Sequence, residues 1–75
     1  MSGRYQVRQQ GSSAARFETE TGDPVNGFAT AQYEAIEVSK KLPGYRWEVY
    51  YEDPEVPFSK ARIGFALNGQ WRWRG

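Results

Sequence analysis

The chain contains no cysteine and no histidine. The first absence excludes disulfide staples and thiolate metal sites, and it leaves the redox compartment unreadable. The second removes the usual general base and the commonest metal ligand. An excess of charge is missing too. Ten basic and nine acidic side chains leave a net +1, whereas a dedicated polyanion binder carries a strong basic surplus. No apolar run approaches the roughly 20 residues that a membrane span needs. The opening Met1-Ser2-Gly3-Arg4-Tyr5 also lacks the apolar stretch of a signal peptide. The expectation is a cytoplasmic protein with no membrane partner. Glycine-rich phosphate cradles and metal-ligand spacings are likewise missing. Asp53 and Glu55 flank a proline, where paired acids usually solvate a loop. We therefore expect no enzyme, no catalytic residue, no metal and no cofactor.

What the chain does have is aromatic mass. Three Trp, five Tyr and four Phe lie among 75 residues, enough for one domain spanning 1–75 whose small core must be dense in large side chains. Residues 4–9 alternate, with Tyr5 and Val7 on one face and Arg4, Gln6 and Arg8 on the other, as a half-buried strand does. Gly11-Ser12-Ser13 reads as a turn into a second strand, 15–21, with Phe17 inward. Gly22-Asp23-Pro24 ends that strand, and Asn26-Gly27 adds a second break. Thr30 suits an N-cap for a helix running to about Leu42 and stopped by Pro43-Gly44. Ala31, Ala35, Val38 and Leu42 form its apolar stripe, with Phe28 and Ser39 at the edge.

Residues 45–52 form the clearest strand, with Trp47, Val49 and Tyr51 opposite Arg46, Glu48, Tyr50 and Glu52. Asp53 to Lys60 holds prolines at 54 and 57 and reads as a stiff loop carrying Val56 and Phe58. A fourth strand, 61–67, alternates Ile63, Phe65 and Leu67 against Arg62, Gly64 and Ala66. Asn68-Gly69 then turns the chain into a fifth, 70–74. The fold class is α+β, in the order ββαβββ, with an antiparallel or mixed sheet and one helix packed across one face.

All seven arginines fall on expected strands, and five clearly oppose the apolar phase, so they should line the helix-free face. Glu18, Glu20, Glu48 and Glu52 share that phase. Much of the face therefore reads as a solvated lattice of cross-strand ion pairs.

The closing Gln70-Trp71-Arg72-Trp73-Arg74 poses a register problem. A two-residue type I′ turn at Asn68-Gly69 pairs Ala66 with Trp71 and Gly64 with Trp73. A three-residue loop shifts the pairing by one and reverses the faces. We expect the two-residue register, because large rings fill the vacancy left by Gly64 and Ala66. With Ile63, Phe65 and Leu67 assigned to the helix side, that register sends Trp71 and Trp73 to the helix-free face beside Tyr50, Arg46 and Arg62. Val56, Pro57 and Phe58 either stand free or fold under the sheet to cover the tryptophans; the sequence does not separate these.

Exposed Trp, Tyr and Arg are the residue types that dominate binding hot spots. The expected function is a small non-enzymatic protein-binding module of accessory, adaptor or inhibitor type. Its partner-binding residues would be Trp71, Trp73, Tyr50, Arg46, Arg62 and Phe58, with aromatics as anchors and arginines forking onto partner carboxylates. In size and style, though in no motif, the chain resembles the compact accessory proteins of bacteriophages and mobile elements, which often cap a host protein. The alternative is a single-stranded nucleic-acid platform built from the same aromatics and arginines, against which the glutamates on that face would repel phosphates. Self-association through this face or through the fifth strand is a third reading.

Overall fold

The computed structural model describes residues 3–19, 24–53 and 55–74. The elements are β1 (Arg4–Gln9), β2 (Phe17–Glu18), α1 (Pro24–Lys41), β3 (Trp47–Glu52), β4 (Ala61–Leu67) and β5 (Gln70–Trp73). They form the expected α+β domain: a five-stranded sheet in the order β2-β1-β3-β4-β5, with every neighbour antiparallel. β2 and β3 both run antiparallel to β1, so they are parallel to each other, and parallel strands need a crossover connection. The helix supplies it.

α1 begins at Pro24, six positions before the expected cap at Thr30, and passes straight through Asn26-Gly27. Proline's fixed φ suits a first helical position. Gly27 is tolerated inside the helix because the chain needs it small: a Cβ there would sit 3.3 Å from the Tyr5 ring. The expected strand 15–21 shrinks to the two residues of β2, and its last two positions, with the Gly22-Asp23 turn, lie outside the described residues.

Val7, Val49 and Trp47 from the sheet, Ala31, Ala35 and Val38 from the helix, and Ala66 from β4 form the buried core. The helix stripe is thus as expected except at Leu42, which is exposed beyond the last turn. Ser39, at the stripe's edge, is fully buried. Its Oγ donates to the Ile36 carbonyl at 2.8 Å and accepts the Gly69 N–H at 2.8 Å. The Asn68 side-chain oxygen accepts the Gly44 N–H at 2.8 Å. These bonds tie the end of α1 to the β4–β5 turn. No helix among the described residues is long and apolar enough to cross a membrane.

Candidate functional site

The β4–β5 hairpin has the two-residue register: Leu67 pairs with Gln70, Ala66 with Trp71, Phe65 with Arg72 and Gly64 with Trp73. Asn68 and Gly69 have φ of 53° and 84°, positive at both positions as a type I′ turn requires. The faces, however, are the reverse of those expected. Ala66 is buried in the helix-side core. Directly paired residues share a face, so Gly64, Trp71 and Trp73 look toward the helix with it.

The cause is a bulge. Val49 pairs with Gly64 but Tyr50 pairs with Arg62, which leaves Ile63 as an extra residue in β4. Strict alternation places Arg62 on the same face as Gly64 and Ala66. The extra residue instead keeps Arg62 on the helix-free face, while Gly64 and Ala66 turn under the alanines of α1. Small residues on both sides let helix and sheet approach closely, and the bulky Phe65 goes outward.

Trp71 and Trp73 are therefore not on the helix-free face. Trp71 is half-buried against the core, and a Cβ on Gly64 would lie 2.6 Å from its ring. The vacancy argument holds, but on the other side of the sheet. Phe28 of α1 meets Trp71 edge-on at 5.9 Å and stacks on Trp73 at 5.5 Å. The same ring reaches Tyr5 at 5.7 Å. Trp73, at the rim of this cluster, stays 61% exposed. Phe58 lies apart again. It is wholly exposed, with a left-handed φ of 60°, on the β3–β4 loop at the far end of the sheet from the β4–β5 turn. The base of that loop is closed by Ser59, whose Oγ accepts the Asp53 N–H and donates to the Asp53 carbonyl. Phe58 covers neither tryptophan, and Val56 is also exposed.

Tyr50 and Arg62 do share the helix-free face, inside an ion-pair lattice. Glu48, almost fully buried, accepts from the Tyr50 hydroxyl at 2.9 Å and from Arg62 Nη1 at 2.8 Å. Burial first, then the bond to Glu48, raises the Tyr50 pKa above its ordinary value. The Glu48 carboxylate likewise raises Arg62. Arg4 pairs with Glu18 and Glu52. Arg8 donates to Gln6 at 2.9 Å and lies over the Tyr50 ring at 5.3 Å.

Beyond this lattice the same face changes character. Arg46 lies 4.6 Å over the outward Phe65 ring, and Arg72 is Phe65's direct cross-strand partner. Together with Leu67 they line a groove of about 560 Å³, closed at the turn end by Asn68 and Gln70 and bounded at the outer edge by Trp73. No carboxylate is among its described lining residues. Of the expected site residues only Arg46 and Trp73 reach it. Phe65 and Arg72 were missed, because alternation assigned both to the helix side; the bulge that moves them leaves no mark in the sequence. Chemically, the groove offers two guanidinium groups and an apolar floor. No described group of three or more carboxylates is placed to hold a metal. Comparison of the chain with protein-family models, curated proteins and solved structures gives no match.

Proposed function

We propose that the chain is a small protein-binding module that captures an acidic segment of a partner in the Arg46–Phe65–Arg72 groove. The observation that carries this reading is that the described lining of the groove holds two arginines and no carboxylate, whereas Arg4 and Arg62 elsewhere on the same face stand on carboxylates. Arginine's planar fork suits carboxylates, and Phe65 with Leu67 supplies the apolar contact that desolvates such pairs. Tyr50 and Arg62 belong to the supporting lattice, and Trp71 to the core.

A displayed library of random peptides, selected on the immobilised protein, tests the reading. Acidic sequences should be enriched, and their binding should be lost in Arg46→Glu and Arg72→Glu proteins that keep the wild-type circular dichroism. Selection without acidic enrichment would sink it. Oligothymidine binding that falls steeply with salt would favour the single-strand reading instead.

A further inference from the structure

β5 is the last strand of the sheet. In the hairpin register Leu67–Gln70 and Phe65–Arg72 are the hydrogen-bonded pairs, and the Arg74 N–H continues the ladder to the Ile63 carbonyl at 3.0 Å. Alternation then points the N–H and C=O groups of Trp71 and Trp73 away from β4. No described strand pairs with them. This open edge borders the groove, and its two faces differ. Arg72 and, by alternation, Arg74 stand on the groove side, while Trp71 and the exposed Trp73 stand on the helix side.

We propose that the partner's acidic segment binds as an added sixth strand, antiparallel to β5, with acidic residues alternating with apolar ones. This rests on the groove reading above and specifies its geometry. An added strand lies about 4.8 Å from β5 and sends alternate side chains to opposite faces. Residues opposite Trp71 and Trp73 share the aromatic face and are apolar. Those opposite Arg72 and Arg74 share the groove face and are acidic. Charge also argues against a second copy of this chain as the occupant. A second β5, Gln70–Trp73, brings no carboxylate to Arg72 and Arg74, and the register centred on residue 72 sets Arg72 opposite Arg72. The other edge strand, β2, spans two described residues, too few to template a partner.

The probe is a capped ten-residue peptide of alternating Glu and Val, titrated by isothermal calorimetry, with two N-methylated forms. In antiparallel pairing the Val residues, opposite the tryptophans, exchange hydrogen bonds with β5, whereas the Glu N–H groups point to solvent. Methylating the Val nitrogens should abolish binding. Methylating the Glu nitrogens should leave it within about threefold of the parent, and Arg72→Glu should weaken the parent at least tenfold, since each tenfold is about 1.4 kcal/mol. Equal tolerance of both methylations, or loss by both, overturns strand addition. Loss on the Glu nitrogens alone overturns the antiparallel register. A parent peptide that does not bind at millimolar concentration overturns strand addition as well. In each case the groove reading stands or falls separately on the library selection and its Arg46→Glu and Arg72→Glu controls.

Discussion

The helix-free face has two halves built from the same residue type and used differently. Over β2, β1 and β3, two arginines stand on carboxylates, Arg4 between Glu18 and Glu52 and Arg62 on the nearly buried Glu48, while Arg8 donates to Gln6 and lies over the Tyr50 ring. Over the start of β3 and the β4–β5 hairpin, Arg46 and Arg72 stand around Phe65 with no carboxylate among the described residues of the groove lining. An arginine held by its own chain has its forks occupied and contributes to the fold. One laid on an aromatic ring keeps its N–H groups available while its position is fixed. Composition counts these as equal; only their neighbours separate the ion-paired half from the half proposed to bind.

The contrast can be broken in several ways. The largest effect should come from beneath the proposed binding half, at Trp71. We expect Trp71→Ala to cost about 3 kcal/mol in denaturant unfolding, as truncation of a large ring packed on a core does, and Trp73→Ala less than about 1 kcal/mol. Equal losses would mean that the two rings are equally buried. Next comes the direct test of the two halves. Glu48→Ala should destabilise by about 2 kcal/mol, because it strips partners from Tyr50 and Arg62. Arg72→Ala should change stability by no more than about 0.5 kcal/mol, while weakening acidic-peptide binding about tenfold. A stability loss at Arg72 matching that at Glu48 would erase the distinction.

Phe58 belongs to neither half and supplies the control. Phe58→Gly should gain about 1 kcal/mol, because glycine adopts a left-handed φ without the Cβ penalty; binding should not change. A loss of stability would show that the ring makes a stabilising contact.

The smallest effect is in the alkaline limb. Tyr50 has a folded pKa raised above its unfolded value near 10, so the neutral hydroxyl is the form the fold prefers. Its contribution is whole below the unfolded pKa and is lost as pH rises through the folded one. Tyr50→Phe should therefore flatten the fall in stability above about pH 10, leaving the part due to Tyr5, whose pKa is also raised by burial. An unchanged alkaline limb would place Tyr50 outside the lattice.

Much of the fold was legible from local pattern. Arg4–Gln9 and Ala61–Leu67 occupy the expected strand positions, because alternation of polar and apolar residues has no other economical explanation there. Asn68-Gly69 named its own turn, since few residue pairs tolerate two positive φ values. The helix start was missed because Gly27 reads locally as a breaker, and only the Tyr5 ring packed beside it explains why it sits inside a helix. At the site, Arg46 was legible from its phase in the expected strand 45–52. Phe65 and Arg72 were not, because each looked like a helix-side residue.

By itself, then, the sequence determined the α+β class, the turn that sets the last register, and the alanine stripe that brings the helix onto the sheet. These follow from periodicity and turn chemistry, which act over a few residues. The tertiary structure alone decided which face the tryptophans join and which arginines lack a carboxylate. One extra residue opposite Tyr50 reverses every side chain that follows in β4 and β5. Whether a strand bulges depends on the neighbours packed against it on both faces, and these lie far away along the chain.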